Sequence, residues 1–206
     1  MDSSVLTALV LIPFGWGLAL TIIPSGLKRE IRGLSAFIAL IILALTTYVF
    51  IQYDNQTAGY QFTQQFGWLK SLGITFDLGV DGISVPMVFL TGIVTFTGVL
   101  ISWNIEERSK DFFILLFLLI AGVFGVFVSL DLFFFFFFYE LAVLPMYLLI
   151  GVWGSSSDFG SFLRPKEYGA MKLMLYLVAG SILVWVGLLV SYVESGLGTF
   201  SLVKFS

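Results

Sequence analysis

The sequence predicts an all-α fold: a polytopic transmembrane helical bundle with six spans. Three observations predict it. The chain is 59% hydrophobic and only 11% charged, where soluble globular proteins carry about 25% charged residues. Its mean hydropathy is +1.03. Uncharged stretches of about 20 residues, the length that crosses a bilayer as a helix, recur along its whole length.

The spans are expected at about 5–24, 33–52, 83–103, 112–130, 132–153 and 170–193, in one transmembrane helical domain over 1–206. The first has Asp2 ahead of it and neither a basic leader nor a small-residue cleavage site, so it reads as a mature helix and not a signal peptide. Between 112 and 153 the only acids are Asp131 and Glu140. A single helix of that length would run roughly 60 Å, twice the hydrocarbon thickness. The chain must therefore turn near Ser129-Leu130-Asp131, where Asp131 is placed to cap the next helix. Lys28, Arg29, Arg32, Arg108, Lys110, Arg164, Lys166 and Lys172 all fall on one side of this arrangement, against Lys70 and Lys204 on the other. The positive-inside rule makes the first side cytoplasmic and puts both termini outside. The longest outside segment, 53–80, carries Tyr60, Phe66 and Trp68 and reads as a hairpin-like flap on the membrane face.

Cysteine and histidine are both absent. The side chains therefore cannot form a disulfide, hold a haem or iron–sulfur cluster, or make a usual zinc site. There is no phosphate-cradling glycine loop, no nucleophile elbow and no basic patch for nucleic acid. No cofactor-binding or metal-binding residues are expected in this chain.

Glu140 is the chemical anomaly. It follows Phe133 to Phe138 directly after Tyr139, about 12 Å into a hydrocarbon core roughly 30 Å thick. Burying an ionisable group there costs on the order of 3 kcal/mol, and such groups face the bundle interior, a partner or water. Desolvation disfavours the charged form, so a cation moving nearby could switch the proton occupancy of Glu140. The rival reading is a neutral carboxyl that hydrogen-bonds a neighbouring helix. Pro145 removes a backbone donor and frees the carbonyl of Leu141, next to the acid; it is either a place for water or a packing kink. Lys172, near the cytoplasmic start of span six, is a weaker relay candidate, too distant from Glu140 for a direct ion pair. Ser84, Thr91, Thr95, Thr97, Gly122 and Gly125 could line a wet path or serve close packing, with packing the better reading.

Three stretches then resemble a known family. "SLDLFFFFFFYELAVLPMYLLIGVWG" (129–154), "GVDGIS" (79–84) and "KLMLYLVAGSILV" (172–184) look like the fifth helix, the start of the third and the sixth of the antiporter-like membrane subunits of respiratory complex I. The acid followed by "LAVLPMYLLIGVWG" is most similar to the M-type subunit, called chain 4 in mitochondria and D-type in plastid and cyanobacterial complexes. The resemblance implies the N-terminal portion of a subunit of about fourteen helices. It implies proton translocation driven by quinone reduction elsewhere in a NADH or ferredoxin:quinone oxidoreductase, with FMN, iron–sulfur clusters and quinone in partner subunits. Glu140 would match the family's fifth-helix glutamate, which works with a lysine on a seventh helix, and Lys172 a commonly basic sixth-helix position. Other membrane-arm subunits and the lipid bilayer would be its partners, nucleic acid would not, and its home would be an energy-coupling membrane: bacterial inner, thylakoid or mitochondrial inner. A subunit of a multi-subunit Na⁺/H⁺ antiporter and a non-transporting scaffold are the alternatives.

Overall fold

The computed structural model describes residues 4–57, 59–69, 72–158 and 163–205. Asp2 and Lys70, used above for the leader and for orientation, lie outside the described residues. Six long helices are present: α1 (Ser4–Ile22), α2 (Lys28–Gln52), α3 (Ser84–Ile101, prolonged by a 3₁₀ turn to Asn104), α4 (Ser109–Val128), α5 (Leu132–Trp153) and α6 (Lys166–Ser195). All six are long and apolar enough to cross a membrane. Two hairpins, β1 (Gln61–Leu69) with β2 (Ile74–Val80) and β3 (Ser157–Asp158) with β4 (Leu163–Arg164), and a short α7 (Leu202–Phe205) complete the described elements.

Helix α4 is the axis of the packing. It meets α1 on one side and α5 on the other, while α2 lies on α3 and α6 on α5. Phe113, Phe117 and Phe124 of α4 are fully buried, at the four- and seven-residue spacings that share one helix face. Between membrane helices packing, more than water exclusion, supplies the attraction, and small residues let backbones approach. Gly122 and Gly125 do this: a Cβ on Gly122 would stand 2.9 Å from Ala142 Cβ, and one on Gly125 would enter the Phe138 ring. The hydroxyls of Thr91, Thr95 and Thr97 donate to their own helix's carbonyls at Met87, Thr91 and Ile93, so they add no polar lining.

At one end of the bundle β1 and β2 pair antiparallel, with Gln64 opposite Leu78 and Phe66 opposite Phe76. The α4–α5 joint is held beside them like a short third strand. Leu130 N–H donates to Asp77 O at 2.8 Å, and Leu202 N–H to Leu130 O at 2.8 Å. The Gly73 turn closes the arrangement. Its φ of 65° suits glycine, and a Cβ there would collide with the Gly198 backbone. The run Phe133 to Phe138 divides by face: Phe134 and Phe138 are buried while Phe137 is exposed. Phe134 meets Phe76 of the hairpin edge-on at 4.9 Å, which uses aromatic quadrupoles to seat the hairpin on α5.

At the other end cations clamp carbonyls of the α3–α4 loop and of the last turn of α1. Arg32 Nη2 donates to Ile105 O at 2.8 Å, Lys28 Nζ to Glu106 O at 3.1 Å and Lys110 Nζ to Thr21 O at 2.8 Å.

Candidate functional site

The site begins with the residue that starts α5. Asp131 caps it, its Oδ1 accepting from Phe133 N at 2.9 Å and Phe134 N at 3.2 Å. Those first-turn N–H groups have no partner inside the helix, so the carboxylate sets where α5 begins and therefore how deep Glu140 lies. In the same way Asp81 of "GVDGIS" stands ahead of α3, accepting from Ser84 N at 2.7 Å and Ile83 N at 3.2 Å while its own N–H donates to Ser84 Oγ. Burial works to raise the Asp81 carboxyl, but the Ser84 N–H and hydroxyl and the Ile83 N–H outweigh it and hold the group below its ordinary value.

Glu140 lies on the face of α5 that meets α6. It is four residues past Phe136 and seven past Phe133, the spacings that share a helix face. Phe136 stacks on Trp185 of α6 at 4.8 Å, and Phe133 meets the same ring at 6.1 Å. Nearer the other end of the helix pair, a Cβ on Gly151 would touch Ala170 Cβ at 3.7 Å. These two contacts set the antiparallel register, and by it Ser181 is the α6 residue level with Glu140. Ser181 and Ala170 are the two buried residues of α6. The Ser181 hydroxyl donates to Val178 O at 3.0 Å, which leaves its oxygen free to accept. Glu140 Oε1 is sealed from solvent and has no hydrogen-bond partner among the described residues. Pro145, five residues on, is buried in the same helix.

Lys172 is on the other side of α6. Two residues from Ala170 is roughly 200° around the helix, so Lys172 points away from α5. It is exposed, with Nζ 5.9 Å above the Tyr176 ring. The structure thus brings Glu140 and Pro145 onto one helix and Ser181 opposite the acid, and leaves Lys172 apart. The ion pair recorded among the described residues is Arg108 with Asp111, far along the chain from Glu140. Ser181 was missed by sequence reasoning. Its small polar side chain was visible within "VAGSILV", but its role depends on the register between two helices. Among the described residues no group of three acids could hold a metal ion.

The curated proteins supply the context. The chain is 37% identical over 182 residues to NAD(P)H-quinone oxidoreductase chain 4 1 of Synechococcus elongatus, a match covering 88% of this chain and 33% of that one. The chain is similar to curated proteins named NAD(P)H-quinone oxidoreductase chain 4. It spans about a third of the length of the curated relatives it matches. No family model matches it. In fold it is similar to a chain of respiratory complex I from Thermus thermophilus with bound NADH, at a TM-score of 0.77 and 23% identity over 95% of this chain and 38% of that one. It is also similar to a chain of the Mrp complex from Dietzia sp., at a TM-score of 0.69 and 19% identity over 95% of this chain and 20% of that one. At such identities these two likenesses speak for the fold alone. The six apolar helices and the chain 4 relatives make this a multi-pass membrane protein of an energy-coupling membrane.

Proposed function

We propose that the chain is part of a proton-translocating, antiporter-like membrane-arm subunit of a NAD(P)H- or ferredoxin:quinone oxidoreductase, with Glu140 as its proton carrier. The observation that carries this is Glu140 itself, half-buried on an apolar helix, with one carboxyl oxygen sealed from solvent and no hydrogen-bond partner for it among the described residues. A group there that never changed its protonation would be better replaced by an apolar residue, because an unpartnered buried oxygen costs about 1–3 kcal/mol. Gaining and losing a proton as a cation approaches and retreats gives a carboxyl at this depth a use. Ser181, level with Glu140, and the Leu141 carbonyl freed by Pro145 are polar groups able to hold water beside the acid.

With no cysteine or histidine in its sequence, the chain has no donor set for a cluster or haem. FMN, iron–sulfur clusters and quinone belong, in this reading, to partner subunits, and neighbouring membrane-arm subunits are its partners. Lys172, on the outer face of α6, is placed to act through helices packed there. Of thirty residues that helix buries only two, which supports further protein covering it in the assembly.

The test is Glu140→Gln in the complete membrane complex, with assembly checked on a native gel. Donor:quinone activity and proton pumping should both fall in the assembled complex; unchanged pumping would make the carboxyl structural and the chain a scaffold. The rival reading is a subunit of an antiporter. Sodium-dependent proton movement without any donor:quinone activity in the purified assembly would favour it.

A further inference from the structure

A second pair of acids sits at the hairpin end, away from Glu140. Asp131 is fully buried and Asp77 is 5% exposed. Thr75 lies between them. Its hydroxyl is 2.8 Å from Asp77 Oδ2 and 3.5 Å from Asp131 Oδ2, and its N–H donates to the same Asp131 oxygen at 3.1 Å. The groups around the pair come from every neighbouring element. Gln65 of β1 donates to Asp77 Oδ2 at 2.9 Å, Ser129 of the α4–α5 joint donates to the Asp131 carbonyl, and Ser201 pairs its backbone with Asp131. Lys204 is the one cation nearby among the described residues: it lines the same cavity as Asp77, is exposed, and makes no recorded ion pair with either acid. Asp77 Oδ1 is buried with no hydrogen-bond partner among the described residues.

We propose that Asp77 and Asp131, bridged by Thr75, form a proton-binding site that holds one proton between two carboxyls and exchanges it with water at the hairpin end. Hydrogen bookkeeping carries the argument. With both acids ionised, the bridge has a single hydroxyl hydrogen for two carboxylate oxygens, and two like charges face each other without a counter-ion among the described residues, an arrangement that strongly favours uptake of a proton by one of them. One proton taken from water completes the bridge: the protonated carboxyl donates to Thr75 Oγ1, and Thr75 donates to the remaining carboxylate. The proton can sit at either end, so it belongs to the pair. The unpartnered Asp77 Oδ1 also fits, because a lone oxygen is less costly on a neutral carboxyl than on a carboxylate. A cavity of about 290 Å³, lined by Thr63, Gln64, Gln65, Asp77, Ser201 and Lys204 among others, gives water a way to the pair.

Burial raises the Asp131 carboxyl above its ordinary value; the Thr75, Phe134 and Phe133 N–H groups pull the other way, and the Asp77 charge adds to the rise. The sign of the linked stability follows. A folded Asp131 that keeps its proton above the ordinary carboxylate value stabilises the fold at low pH, and that contribution is lost as pH rises from the ordinary value through the folded one.

This site does not depend on Glu140 carrying protons, and the experiment separates the two. Infrared spectra of the 206-residue chain in lipid nanodiscs, at neutral pH, should contain a protonated-carboxyl band that shifts when aspartate carboxyls carry carbon-13. That band should persist in Glu140→Gln and disappear in Asp77→Asn and Asp131→Asn, with folding checked by circular dichroism. Asp77→Asn should also flatten the fall of stability with rising pH. An aspartate label that moves no protonated-carboxyl band would overturn the proposal without any substitution, and so would a band that survives both asparagine variants.

Discussion

Removing the Asp131 carboxylate should destabilise the chain more than any other single side-chain truncation at the hairpin end. Three backbone N–H groups lose their acceptor at once: Phe133 at 2.9 Å, Phe134 at 3.2 Å and Thr75 at 3.1 Å. The first two begin α5 and have no helical partner; the third ties the hairpin to the helix joint. Loss of a cap costs about 1 kcal/mol and up to about 2, and an N–H stranded in a site this closed costs about 1–3 kcal/mol. Against that, Asp131→Ala removes a buried acid and its repulsion with Asp77. The net expectation is a loss of about 3 kcal/mol, more than a hundredfold in the folded-to-unfolded ratio. Asp131→Asn keeps an oxygen for the two α5 donors and gives up the Thr75 acceptor, so it should cost about 1 kcal/mol. Both are measured by reversible unfolding of the reconstituted chain in mixed micelles, followed by tryptophan fluorescence. If Asp131→Ala unfolds within about 0.5 kcal/mol of the parent, the carboxylate does not hold the joint, and the account of how Glu140 acquires its depth fails with it.

Two further substitutions test the packing and the placement of the lysine. Gly125→Ala puts a methyl group into the Phe138 ring where α4 and α5 cross, and should cost about 1–3 kcal/mol, whereas Gly180→Ala, with open space around it, should be neutral in the same assay. Lys172→Met, on the exposed face of α6, should leave the unfolding of the chain within about 0.5 kcal/mol of the parent. A large loss would mean that Lys172 is tied to the bundle in a way its position over Tyr176 does not account for.

Much of the fold is legible residue by residue because a bilayer imposes local rules. Asp131 shows why: between two runs too long to be one span, an acid preceded by Ser-Leu can only mark a turn, and the same carboxylate then caps the helix after it. Glu140 is legible for the same kind of reason, since its depth follows from counting residues from that turn. The hairpin's attachment is not legible in that way. Nothing local in "GITFDLGV" says that Asp77 faces Asp131, or that Gly73 must lie against Gly198, because both contacts join segments far apart along the chain.

By itself, then, the sequence determines that this chain lives in a membrane as six helices, where α5 starts, and that an acid is carried into its apolar middle. These follow from length, hydropathy and capping chemistry, each confined to a few neighbouring residues. The tertiary structure alone decides that Ser181 stands level with Glu140, that Lys172 turns away from it, and that Asp77 and Asp131 share one threonine hydroxyl. Each of those depends on the rotation and register of one element against another, and these are set by the fit of Phe136 to Trp185, Gly151 to Ala170 and the hairpin to the helix joint, distances no single stretch of sequence contains.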